Sequence, residues 1–290
     1  MTRALRLMPT DPELWVMAGQ KAVSEGDWAG ARGMFMRGCR FCTGKGGSAV
    51  WLEFARSEML WLDRMTRKMQ AGQKTAAQMA EEEQNSDQIL FDDHDLDSDD
   101  DEDGNGDGVG KFVLPEPGTT ASAQTLELEV PEPATNTPAM DGAIAMSIAS
   151  SAAKQIFYTP AVGRQFFTIF ASFRSTAIPQ QIIDKLVQSV LDSMLERWHG
   201  EPDTALCWVL QPVQGIDSTT VEFVRGLREL LERLWGSAKQ RQVREGQEAA
   251  FAENMSKVVD SWLGCDGLDP DIVLVLKDIK IKLDMAKQSS

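Results

Sequence analysis

Four cysteines, two histidines and one dense run of carboxylates are the residue types in this 290-residue chain that suit metal or redox chemistry. Cys39 and Cys42 form a C-x-x-C. A zinc site needs a second ligand pair, but His94 lies in an acidic tract, His199 is distant, and Cys207 and Cys265 stand alone. A redox role needs a thioredoxin-like βαβ setting, which the chain lacks. Cys39 shares a helical face with Ala31 and Phe35, so it reads as core packing. The stretch "DSDDDEDGNGDGVG" has the look of a calcium loop. Starting at Asp99, the residues Asp101, Asp103 and Gly104 fit, but position twelve is Gly110. Starting at Asp103, the residues Asn105, Asp107 and Gly108 fit, but position twelve is Leu114. Neither register supplies the bidentate carboxylate of an EF-hand. The stretch therefore reads as a solvated acidic tract that attracts cations weakly and suits basic ribosomal or histone-like partners. "GKGG" at 44–47 lacks P-loop spacing and reads as a hairpin turn. Paired carboxylates are abundant only where nothing positions them for acid–base work. No enzyme, no cofactor, no metal site and no small-molecule substrate are expected.

The elements around these residues set the bounds. The chain is 42% hydrophobic with 25% charged residues, enough for one extended domain or two compact ones. It has no run of about 18 apolar residues, so no membrane span is expected. The start "MTRALRLMPTDPELW" has neither an apolar core nor a small-residue cleavage site. Four scattered cysteines argue against a secreted disulfide framework and for a reducing, intracellular compartment. The net charge of −15 is concentrated. Residues 81–107 hold fourteen Asp and Glu and no Lys or Arg; the remaining acids (44 less 14) nearly balance the 29 bases. Charge alone therefore marks neither half as a nucleic-acid binder.

The first 80 residues alternate helical pattern with short breaks. "TDPELW" is a helix start: Asp11 caps, Pro12 suits the first position, and Glu13 favours the positive end of the dipole. Trp15, Ala18 and Ala22 then share a face. "EGD" breaks the run at Gly26, and a second helix from near Asp27 carries Ala31, Phe35 and Cys39. After "TGKGGS", a third carries Trp51, Phe54, Ala55, Glu58 and Leu62. Residues 81–140 are acidic, then rich in Pro, Thr and Ala, and are expected to be disordered because they bury too little apolar surface. Helical pattern resumes over 141–290, with helices expected at 142–156, 162–174, 179–198, 203–213, 218–240, 245–263 and 271–285. "DIVLVLKDIKIKL" has strand-like composition but reads as a terminal helix in this context.

Trp15 and Trp51 stand 36 positions apart. Two helices, a break and two more at that period mark a solenoid of helical hairpins, whose apolar faces are buried by stacking. Short connections suit antiparallel neighbours. Spacing alone leaves a generic helical bundle with two chance tryptophans equally open.

"EGDWAGARGMFMRG" resembles the half-a-TPR, or HAT, signature: Trp, an aromatic and Glu in helix A; Gly–Asp, Ala–Arg and a second Arg in helix B. The matching residues are Trp15, Gly26, Asp27, Ala31, Arg32, Phe35 and Arg37, then Trp51, Phe54 and Glu58. Ala18 and Ala22 depart from the pattern. "ALRLMPTDPELWVMAGQ", "ARGMFMRGCRFC" and "VWLEFARSEMLWLDRM" are similar to one HAT family, the U3 small nucleolar RNA-associated protein 6 family, over residues 4–65. "RQFFTIFASF" and "DTALCWVLQPV" sit where further helix A copies would fall, with Phe167 and Trp208 at a stretched spacing of 41. The family's longer amino-terminal region has no counterpart here, which implies a fragment or a short gene model.

The resemblance implies an all-α solenoid of HAT hairpins. The acidic insertion would separate helices A and B of the second unit, and "GAIAMSIASSAAKQ" would supply that helix B. It implies a non-catalytic scaffold of the small-subunit processome, acting in the nucleolus in U3-dependent pre-ribosomal RNA processing and 18S maturation. WD40 propeller subunits are the implied partners, with the U3 particle and pre-ribosomal RNA contacted indirectly. The signature positions are implied to be structural. Arg32, Arg37, Arg40, Arg56, Arg64 and Arg67 suggest an RNA-facing flank; the competing and preferred expectation pairs Arg32 and Arg37 with carboxylates such as Glu58. Two alternative functions stand beside this one: a HAT scaffold of splicing or messenger-RNA 3′-end processing, and a calcium-responsive acidic helical protein.

Overall fold

The computed structural model describes residues 2–86, 138–236, 243–244 and 246–289. Among them all regular structure is helical, with one isolated bridge between Gly200 and Val243. Met1–Gln70 and Asn136–Ser290 fold together as one compact unit. Ala71–Thr135 form a second unit, whose described part is the helix that runs on to Ser86.

Helix α1 (Thr2–Leu7) leads into α2 (Pro12–Ser24). The Asp11 carboxylate accepts from the Glu13 N–H at 3.0 Å, and Pro12 occupies the first turn, where its missing N–H costs nothing. Gly26 ends the helix at φ +79°, a left-handed value that a side chain would resist. Asp27 then caps α3 (Trp28–Phe41) by accepting from the Gly30 N–H at 2.8 Å. The two caps back to back turn the chain and lay α3 against α2. The close crossing depends on two glycines. A Cβ at Gly19 would lie 2.3 Å from the Phe35 ring, and one at Gly38 would lie 2.8 Å from Trp15.

A 3-10 turn at Lys45–Gly47, the "GKGG" segment, leads into α4 (Ser48–Ser86). The helix passes the boundary expected at residue 80, so residues 81–86 are helical. Glu, Gln and Ala are good helix formers, and polarity alone does not stop a helix. The disorder and the calcium-like loop expected further along fall on residues outside those described.

After residue 137 come α5 (Ala143–Ala152), α6 (Pro160–Ala171), α7 (Gln180–Arg197), α8 (Pro202–Leu210), α9 (Val221–Trp235), α10 (Glu248–Leu263) and α11 (Pro270–Ser289). Thr159 caps α6 ahead of Pro160, and Pro202 opens α8. The last segment is a helix and not a strand: Ile272, Leu276, Ile279 and Leu283 recur at helical spacing and are buried. Helix α5 is shorter than its pattern predicts, giving way to turns after Ala152. Helix α9 begins at Val221 and ends at Trp235, where Gly236 leaves the helical conformation at ψ 174°, inside the span of 218–240 expected from the pattern.

The helices pack in two registers. Neighbours in sequence pair as hairpins: α2 with α3, α6 with α7, α10 with α11. Alternate helices also meet: α6 with α8, α8 with α10, α5 with α7. Gln20 of α2 donates to Glu53 of α4 at 3.0 Å, which continues the same pattern. This is how stacked helical hairpins bury faces that no single hairpin covers, and it is consistent with an α-solenoid. The end of α8 is anchored by two arginines. Arg174 donates to the Gln211 and Gln214 carbonyls at 2.7 and 3.0 Å and to Asp184 at 2.9 Å; Arg233 donates to the Trp208 carbonyl. Cations there satisfy the last carbonyls of a helix and oppose its dipole.

Candidate functional site

The signature residues converge on the joint between α3 and α4. Arg32 of α3 makes a two-pronged contact with Glu58 of α4, Nε to Oε1 at 2.7 Å and Nη2 to Oε2 at 2.8 Å. Glu58 is 4% exposed and Arg32 31%. The Arg32 guanidinium also lies 4.5 Å above the Trp61 ring. Beside this pair Phe35 and Phe54 stack with centroids 5.6 Å apart, and Ala31 is buried. A forked guanidinium suits a carboxylate because both bonds form at once. Removing Arg32 would strand the buried Glu58 carboxylate, at a cost of about 3–5 kcal/mol, whereas Arg32 without Glu58 stays partly in water.

The other signature positions have separate tasks. Trp15 is buried, donates from Nε1 to the Pro9 carbonyl at 2.7 Å and stacks on Phe41. Gly26 and Asp27 make the turn already described. Trp51 is half-buried against Phe157, and its indole N–H is buried without a hydrogen-bond partner among the described residues. Arg37 departs from expectation. It is exposed and makes no ion pair among the described residues, because it lies five residues beyond Arg32. At about 100° per residue that turns it well away from the α4 face. Of the remaining arginines proposed as an RNA flank, Arg56 faces Glu53 at 3.6 Å, Arg67 pairs with Asp63 at 2.9 Å, and Arg64 sits 6.0 Å over Trp28. Arg40 is exposed.

The cysteine pair does not have the electrostatics of a reactive motif. Burial, followed by the neighbouring Cys42, pushes the Cys39 thiol up to about 12. Burial, then Asp11, also raises Cys42. Thiolate is the form that attacks disulfides and binds metals, and both thiols are held away from it. Cys42, and not Cys39, is the more deeply buried of the two. Among the described residues no group of three His, Cys, Asp or Glu side chains is placed to hold a metal ion.

A second feature had no signature in the sequence. Helices α6, α8 and α10 enclose a groove of about 390 Å³. Its lining mixes apolar side chains (Phe167, Leu206, Leu210, Val258 and Trp262) with polar ones (Thr168, Gln214, Asn254 and Ser261). Trp262 is braced edge-on by Phe223 at 5.5 Å. At the rim, Arg164 is held by Asp203 at 3.0 Å, and Asn254 approaches the same carboxylate at 3.5 Å. Lys257 sits one turn beyond Glu253, 2.7 Å from it. Cys207, at the floor, is buried, and burial keeps its thiol protonated.

Comparison with known family models and with curated proteins finds no match to this chain.

Proposed function

We propose that this chain is a HAT-repeat scaffold subunit of the small-subunit processome, non-catalytic and nucleolar, that supports U3-dependent maturation of 18S ribosomal RNA. The reading starts from the resemblance of residues 4–65 to the U3 small nucleolar RNA-associated protein 6 family. The observation that carries it is the Arg32–Glu58 joint. The HAT pattern places an Arg in helix B and a Glu in the next helix A, and here those two positions meet across adjacent hairpins. The alternate-helix packing of α6, α8 and α10 supports a continued array. In this reading α5 is the second unit's helix B, and the acidic insertion separates it from α4. Its partners are WD40 propeller subunits of the same subcomplex, and RNA is reached through them.

Affinity purification of the tagged chain from nuclear extract, with protein and RNA identified together, tests the reading. It expects WD40-rich processome subunits with U3 and pre-ribosomal RNA. Recovery of spliceosomal or 3′-end factors would overturn it.

A further inference from the structure

Helix α11 carries apolar side chains on two opposite sides. Ile272, Leu276, Ile279 and Leu283 form one side and are buried. Leu274, Ile281 and Met285 form the other and are 65%, 60% and 64% exposed. At about 100° per residue the second side points directly away from the first. A helix packed on one side normally has a polar back; α11 has instead an apolar stripe about 16 Å long, from Leu274 to Met285. Charges flank the stripe, with Lys277 and Asp284 along one edge and Asp278 and Lys282 along the other. Lys282 pairs with Asp278 at 2.7 Å, Lys287 pairs with Asp284 at 2.9 Å, and Lys280 turns back to Asp260. Lys277 is exposed and makes no ion pair among the described residues.

We propose that this stripe pairs with the same stripe of a second copy of the chain, the two α11 helices lying antiparallel about a two-fold axis that passes beside Lys280. The pattern of charges points to that occupant. An isologous contact brings each residue opposite its counterpart's neighbourhood and repeats every contact twice. In this register Leu274 meets Met285 of the second copy, and the two Ile281 side chains meet at the centre. On one edge the unpaired Lys277 meets Asp284 of the second copy. On the other, the Asp278–Lys282 pair joins its twin in a ring of four alternating charges, so each ion gains a second opposite neighbour and loses none. Antiparallel helices also set opposite dipole ends together. With four Lys and three Asp, α11 is close to neutral and does not repel its copy. So short a stripe buries less than a permanent dimer needs, and the association is weak and concentration-dependent. The proposal goes beyond the scaffold reading and is tested without it, since the purified chain suffices.

The probe is the intact chain itself, followed by sedimentation equilibrium up to about 200 µM. A monomer–dimer equilibrium with a dissociation constant of about 10–100 µM is expected. Ile281→Asp and, separately, Leu274→Asp change exposed positions and should leave only monomer over that range. Lys277→Asp sets carboxylates against each other at two places and should weaken the dimer about tenfold. Adding Asp284→Lys to that variant reverses both partners and should restore the equilibrium to within about threefold. Met36→Asp on α3, also exposed, should change nothing. Circular dichroism checks that each variant keeps its helix. A monomer throughout, a dimer that survives both stripe variants, a charge-swapped chain as weak as Lys277→Asp, or equal loss in the Met36 variant would overturn the proposal. None of these outcomes bears on which assembly contains the chain.

Discussion

The α3–α4 joint and the α6–α8–α10 groove both combine arginine, carboxylate and tryptophan, yet they use them in opposite ways. At the joint both prongs of Arg32 are spent on Glu58, the ring of Trp61 covers the guanidinium, and the carboxylate is almost fully buried. At the groove the carboxylate of Asp203 is set back, and the guanidinium of Arg164 is left partly open. A charge turned inward and saturated holds helices together. At the groove the pair lies nearer the surface, where water screens it and it contributes less to holding helices together. The residue types are the same; the direction in which the pair faces decides the role.

Variants in and around the joint test the inward-facing half of that contrast through stability. The largest loss is expected at the joint: Arg32→Ala strands the buried Glu58 carboxylate and should cost about 3 kcal/mol, read as a lower urea midpoint with an unchanged slope. Next comes Gly19→Ala. Its new Cβ would sit 2.3 Å from the buried Phe35 ring, and overpacking of about 1–3 kcal/mol exceeds the helix-propensity gain of about 1 kcal/mol. A midpoint equal to or above the parent's would show that the α2–α3 crossing is looser than described. Asp27→Ala removes a cap whose oxygen accepts from Gly30 and should cost about 1 kcal/mol in thermal denaturation. The smallest change is expected for Trp51→Phe. It loses some packing but also removes a buried indole N–H that has no partner among the described residues, so the two effects offset to within about 1 kcal/mol. A larger loss would mean that the N–H is satisfied.

Much of the joint could be read in the sequence, because its information is local. Asp11–Pro12 and Gly26–Asp27 announce helix ends by chemistry that acts within a few residues. Arg32 and Glu58 stand at positions that the HAT resemblance pairs, so their contact is expected from the sequence pattern. Trp61 was within reach of the same logic, lying one helical turn after Glu58. Arg37 departs from the expected pairing because a repeat pattern does not say which helical face points at the neighbour. Gly19 and Gly38 carry no local sequence signal, because their importance depends on how closely two helices cross. The groove was invisible for a stronger reason. Arg164, Asp203 and Asn254 come from three helices spread over ninety residues, and none sits in a local motif. Only the stacking of α6, α8 and α10 brings them together.

A double-mutant cycle on Arg32 and Glu58, followed by urea unfolding of the intact chain, tests the joint most directly. Arg32→Ala, Glu58→Ala and the double variant would be compared with the parent. If adjacent hairpins are fastened through this pair, the single losses overlap and the coupling is on the order of 1–3 kcal/mol. Strictly additive losses, with coupling below about 0.3 kcal/mol, would mean that the two residues act independently and that the repeat pairing does not join the hairpins.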